Sequence, residues 1–413
     1  METTTHTNAA PTATCPFGGN FPNARDVNRP LEPAPGYVHM LEEAPLHQVT
    51  LYDGSRAWLF TRHEDVVNVL SDRRFSSVPT DSYPMVSPGA AITKTIDHTF
   101  LRKDAPVHTV HRKMWTPYFA ANRVEKMRPT IQSIVDRAID RLLEKGPPAD
   151  FVSEFALVIP SQVICSLLDV PESDHEFFQT NSTVMMTLSS KPEDIIAAKH
   201  AFDAYWLKEI ERRELNPGDD IVSELIRTQV LTGHITGKEL ADMSWLMLLA
   251  GHETTASMIG LSTILLLRHP DQLADMLTDP SLTRGAVDEC LRYLTVNQNG
   301  LNRVATEDVD ILGTKIKKGE GIIALLSTAN RDPLTFPDPQ RFDIRRPTAR
   351  QHVAFGAGFH QCLGNPLARV ELQIVFDTLF RRMPTLQVAQ DISEIDYKYQ
   401  AFFFGANSFA VTW

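Results

Sequence analysis

The chain has 413 residues, 43% hydrophobic and 22% charged, with 20 glycines and 27 prolines, which excludes fibrous and disordered classes and leaves material for a large core. A formal charge of -11, from 40 basic and 51 acidic residues, opposes a nucleic-acid backbone or an anionic membrane as the main partner. Cys15, Cys165, Cys290 and Cys362 stand far apart with no CxxC or CxxH pair, so no zinc knuckle or disulfide framework is written, and a reduced, cytoplasmic setting fits.

Residues 1–30, rich in Thr, Pro, Asn and Gly, predict a flexible lead-in without signal peptide or anchor, and residues 31–413 a single domain. Residues 46–62 alternate apolar and polar around Asp53-Gly54, a hairpin pattern, and a short helix is expected over 63–70. Ser, Pro and Gly crowd 75–91 into a long loop, a kind that tends to be functional. From Asn122, the residues Ile131, Ile134, Val135, Ala138 and Leu142 step at helical spacing until Gly146-Pro147-Pro148. Helical patterns continue to Leu294. The period shifts towards two over 309–325, with turns at Gly313, Gly319 and Gly321, and returns to helical over 367–382. The greasiest stretch, 245–267, is interrupted by His252 and Glu253, and no uncharged run is long enough to span a membrane.

Two stretches carry chemistry. Residues 355–364 read FGAGFHQCLG and lead into a helical pattern, placing Cys362 just before a helix. There, unpaired N–H groups and the helix dipole favour an anionic sulfur and lower the thiol pKa, while Gly356, Gly358 and Gly364 let the backbone approach a flat cofactor. Taken alone, a buried cysteine in a turn remains the simpler reading. Residues 242–267 predict an interior helix carrying Ala250-Gly251-His252-Glu253-Thr254-Thr255 at its centre. Thr254 can bond back to the Ala250 carbonyl and Gly251 weakens the helix, so a groove for a small molecule can open. An acid beside an alcohol in an apolar place can relay protons to an oxidant held at a metal. A zinc-protease HExxH is ruled out by Ala256, and a GxGxxG loop by Gln361.

Residues 355–364 match FGxGxHxCxG at every fixed position and so resemble the haem-binding loop of the cytochrome P450 family, the haem-thiolate monooxygenases. The resemblance implies that Cys362 is the axial ligand of the haem iron, its electron-rich sulfur favouring oxygen–oxygen cleavage, with Phe355 and Gly356 at the cofactor and His360 at a haem propionate. Residues 250–254 are similar to the family's oxygen-binding segment, which implies Ala250 and Gly251 against the haem and Glu253 and Thr254 as the catalytic acid–alcohol pair. Residues 104–112, DAPVHTVHR, resemble the family's DPPEHxxxR stretch, departing at Ala105, Val107 and Val110, and imply His108 and Arg112 at the propionates with Arg303 as a further donor. Trp115 reads either as a residue at the macrocycle edge or as core. Glu289 and Arg292, three apart on a predicted helix, suit an ion pair, and the resemblance implies that with Arg341 they form a buried structural network behind the haem loop.

The fold implied is mainly α with a small β region, the triangular helical prism of that family around a buried haem b. The reaction implied is insertion of one oxygen atom from O2 into a mid-sized, largely apolar organic substrate, a secondary metabolite or xenobiotic. Residues 76–100, 177–201, 296–301 and 402–407 are the candidate pocket walls. Because the chain shows no nicotinamide or flavin motif, NAD(P)H is expected to act indirectly, through a ferredoxin reductase and a ferredoxin docking on Arg112, Lys113, Arg345, Arg346 and Arg350. A monomeric, cytoplasmic enzyme without nucleic-acid or membrane partners follows. The alternatives are a haem-thiolate nitric oxide reductase, which need not keep the Glu253–Thr254 pair, and a non-enzymatic haem-thiolate sensor or carrier.

Overall fold

The computed structural model describes residues 19–94 and 99–413, and Cys15 and most of the N-terminal lead-in lie outside them. The fold is mainly helical with small sheets. Leu46–Thr50 and Arg56–Phe60 form the expected hairpin, Leu46 opposite Phe60, with Gly54 at φ +81° in its turn. Gly321–Ala324 joins this hairpin in parallel, followed by Leu301–Ala305 and Phe75–Ser76 in antiparallel, so the main sheet has five strands. Val309–Ile311 and Thr314–Ile316 close a separate hairpin over Leu312 and Gly313. Ala410–Thr412 lies between Ala149–Asp150 and Gln387–Val388.

The helical pattern that begins at Asn122 is split into Ala121–Lys126 and Arg128–Lys145, because Pro129, lacking an N–H, sits best in the first turn of a new helix. Gly146, at φ +77°, ends the second of these. The central helix, Gly237–Leu267, begins five residues before the expected start. Its first turn is held by a capping box, Thr236 accepting from the Glu239 N–H while the Glu239 carboxylate accepts from the Thr236 N–H, and polar residues there hide the start from an apolar pattern.

That helix packs against Val158–Leu168, Pro192–Leu215, Thr283–Leu294 and Asn365–Arg382, which explains a sequence apolar nearly all round. From 240 to 266 every residue is buried except Ala250, Gly251 and Thr254, which share one face. Trp115 takes the core reading: it is fully buried, with its ring nitrogen 3.4 Å from Met243 Sδ. Among the described residues, no helix is long and apolar enough to cross a membrane.

Candidate active site

Cys362 is set by a tight loop ahead of helix Asn365–Arg382. Its N–H donates to Phe355 O at 2.9 Å, and the Gly356 N–H donates to Val353 O at 2.8 Å. Gly358 has no alternative: it adopts φ +68°, and a Cβ there would lie 2.2 Å from the Leu70 carbonyl oxygen. Cys362 keeps open surface although it is set deep in the protein. That depth pushes its thiol up, against the opposing pull of the Gly364 and Asn365 N–H groups and of Arg112 and Arg369. The net direction is upward, opposite to the lowering expected from its place before a helix.

On the central helix, the acid and the alcohol have different partners. Thr254 Oγ1 donates to Ala250 O at 2.9 Å, the back-bond its spacing predicts. Glu253 Oε2 accepts from Lys398 Nζ at 2.7 Å. Burial works against ionisation of Glu253, but Lys398 and then His252 hold its carboxyl below the usual range. A cleft of about 340 Å³ lined by Thr183, Met186, Glu253, Lys398, Phe403 and Asn407 brings two of the expected walls, 177–201 and 402–407, together beside this pair. The polar run at 297–299 serves partly as a joint: Gln298 accepts from Arg25 Nε and donates to Ala401 O, and Asn297 bridges Phe403 through the backbone.

Basic side chains from separate segments converge beside the cysteine loop. The rings of His108 and His360 lie 4.0 Å apart between centroids, and His360 Nε2 is 2.9 Å from Ser77 Oγ. Burial, then Arg303, His108, Arg112 and Arg102, push the His360 imidazole down to about 3. Arg112 Nη2 donates to Gln361 O at 2.6 Å, next to Cys362, and Arg303 is 5% exposed. His108 Nε2 and Arg102 Nη1 are buried with no hydrogen-bond partner. Arg102 carries no motif signal; only the assembled structure brings it here.

Behind the loop, Arg292 Nε and Nη2 each donate to Glu289 at 2.7 Å, with both residues fully buried. The third base differs from the one expected. Arg341 is exposed and offers only its carbonyl, whereas Arg346 Nε donates to Glu289 Oε1 at 3.1 Å. The chain after Pro337 curls back, so that Arg346 also donates to the carbonyls of Pro337, Asp338 and Arg341. Asn330 completes the link: its carbonyl accepts from Arg292 Nη1, and its side-chain oxygen accepts from the Val353 N–H at the start of the cysteine loop. Arg346 is therefore lost to the expected docking patch, and Arg345 is paired with Asp275 at 2.5 Å.

The residues present fit a haem. Its iron would place a cation at the sulfur, its two carboxylates would find the buried, unpartnered His108 Nε2 and Arg102 Nη1, and its flat face would suit the strip Ala250, Gly251 and Thr254, the open part of the helix between 240 and 266. The protein-family model described as Cytochrome P450 matches residues 171–398. The chain is 44% identical over 393 residues to Cytochrome P450-SU2 of Streptomyces griseolus, covering 95% of this chain and 96% of that one. It is 40% identical over 395 residues to the vitamin D3 dihydroxylase of Streptomyces griseolus, again covering 95% and 96%. The crystal structure of the mycinamicin VIII C21 methyl hydroxylase MycCI from Micromonospora griseorubida, bound to mycinamicin VIII, matches with a TM-score of 0.90 at 37% identity, covering 95% of this chain and 99% of that one. A cysteine framed by that loop, a central helix opened at one strip and similarity along nearly the whole chain lead to one conclusion: the chain belongs to the cytochrome P450 family and is a P450 monooxygenase, an oxidoreductase.

Proposed function

We propose that this monooxygenase inserts one oxygen atom from O2 into a mid-sized, largely apolar compound bearing oxygen functions, a secondary metabolite or xenobiotic. The observation that carries the reading is the strip Ala250, Gly251 and Thr254, the only break in the burial of the central helix from 240 to 266. The similar proteins act, by their names, on vitamin D3 and on mycinamicin VIII, which supports a substrate of this size and polarity.

Cys362 would hold the iron of haem b, while His108, Arg112, Arg303 and His360 would hold its carboxylates and Phe355, Gly356, Ala250 and Gly251 flank it. When bound, the haem supplies the redox centre that activates O2. Thr254 would pass a proton at the open strip, once its Oγ1 turns away from Ala250 O. Glu253, at the cleft beside Lys398, would take a proton from water and hand it on. Burial of the remaining helix keeps other water out, which protects the oxidant.

Ligand binding and chemistry are tested together. A panel of oxygenated apolar compounds is screened for a spin-state change of the haem, and those that respond are turned over under isotopically labelled dioxygen. One labelled oxygen atom in the product is expected. A panel without any spectral response, or products without label, overturns the reading.

Electrons would come from NAD(P)H through a ferredoxin reductase and a ferredoxin. With Arg345 and Arg346 engaged elsewhere and Arg112 turned to Gln361 O, the expected patch keeps the exposed Lys113 and Arg350, and Arg73 stacks 4.9 Å over the exposed ring of Phe359. Reversing Lys113 and Arg73 to Glu should slow electron transfer from an acidic ferredoxin, most steeply at low salt. An unchanged rate removes this docking site.

A further inference from the structure

The cation cluster contains a member that no motif marks. Arg102 ends the short helical turn Phe100–Arg102, and its guanidinium carbon lies 4.7 Å from the centre of the Tyr83 ring. Tyr83 is buried and fixed, its hydroxyl donating to Asn302 O at 2.9 Å, one residue before Arg303. Arg102 thus stands over a rigid aromatic platform tied to the strand that carries Arg303. Its Nη1 is buried without a partner, as is His108 Nε2.

Such an arrangement is costly without an anion. Burying a guanidinium nitrogen with no acceptor forfeits its hydration, and neighbouring cations add repulsion. Among the described residues, the carboxylate of Asp104 is already committed: it accepts from Ser76 Oγ at 2.5 Å and from the Ser77 N–H at 3.2 Å. Arg303 Nη1 donates only to Asn302 O, the carbonyl next to it in sequence. The missing partner is therefore an anion able to meet donors from several segments at once, as the dicarboxylate of a haem is.

We propose that Arg102 is a further cofactor-binding residue that holds a haem carboxylate, with Tyr83 as its positioning residue. This rests on the haem reading above and adds to it. Arg102 lies on the connection between strand Phe75–Ser76 and helix Val107–Trp115, the part of the chain that includes the candidate substrate wall 76–100.

The test uses the haem-loaded enzyme, with Arg102→Met and Arg102→Lys beside the wild type. Haem release into excess apomyoglobin is timed for each protein loaded with haem and with its dimethyl ester, which has no charged carboxylates. With haem, Arg102→Met should release about tenfold faster or more, the scale of one lost charge-assisted hydrogen bond, and Arg102→Lys should lie between. With the diester the difference should shrink to about twofold or less. Equal release with haem, or the same ratio with the diester, overturns the role of Arg102. The reduced, carbonylated wild type is recorded first: absence of a haem-thiolate spectrum removes the haem reading and this role together, whereas a normal spectrum with unaltered release removes the role alone.

Discussion

Lys398 Nζ sits 2.7 Å from Glu253 Oε2, joining the middle of the central helix to the strand pair Asp396–Tyr397 and Ala406–Ser408 near the C-terminus. Both side chains are largely buried, at 14% and 7% exposure, so each charge depends on the other. Lys398→Met should cost about 3–5 kcal/mol, because it strands a carboxylate in the interior. The double variant Lys398→Met, Glu253→Gln should recover more than half of that. Chemical denaturation of the four proteins of this cycle measures both values, and a loss that persists in the double variant would show packing, not charge, at work.

The same relationship separates the two members of the acid–alcohol pair. Thr254 bonds only within its own helix, through Ala250 O, so Thr254→Ala should leave folding and haem content unchanged. Product formed per NAD(P)H should fall about tenfold while peroxide rises, as expected for loss of a proton donor. Simultaneous assay of product, peroxide and nucleotide consumption checks this, and unchanged coupling would dismiss the relay.

The network around Glu289 predicts opposite fates for two nearby arginines. Arg341→Met should stay within about 0.5 kcal/mol of wild type, since its exposed side chain contributes nothing beyond the backbone. Arg346→Met removes four donations, one to the buried Glu289 and three to carbonyls, and should cost about 3 kcal/mol or more. Denaturation midpoints at fixed haem loading compare them directly.

Two glycines with similar backbones should respond differently to alanine. Gly358, at φ +68°, has the Leu70 carbonyl where a Cβ would go, so Gly358→Ala should prevent the cysteine loop from closing and deplete haem-loaded protein. Gly54, at φ +81°, has open space, and Gly54→Ala should cost only about 1 kcal/mol of backbone strain. Haem-to-protein ratios after purification distinguish the two.

Glu371, on the helix that follows Cys362, is buried with Oε2 unpartnered, and burial pushes its carboxyl up to about 8. Between its ordinary value of 4.5 and about 8, the folded protein keeps a proton that the unfolded chain releases, so this group makes stability fall as pH rises through that window. Glu371→Gln should abolish this dependence, with a gain over wild type on the order of 3 kcal/mol between pH 5 and 8. Melting temperatures across that range give the sign; parallel profiles for the two proteins would contradict it.

Features that depend on neighbours in the chain were legible before any fold was known. The loop at 355–364, the back-bond from Thr254 to Ala250, the pairing of Glu289 with Arg292 and the hairpin at Asp53-Gly54 all arise within a few residues, where spacing alone fixes which groups meet. Tertiary structure decided the rest. Lys398 reaches Glu253 across 145 positions, Gly321–Ala324 pairs in parallel with Arg56–Phe60, Arg346 rather than Arg341 faces Glu289, and Arg102 comes to rest over Tyr83. These contacts form because separate segments bury apolar surface against one another, and the charges they carry must then find partners wherever packing has put them; no residue spacing encodes that outcome.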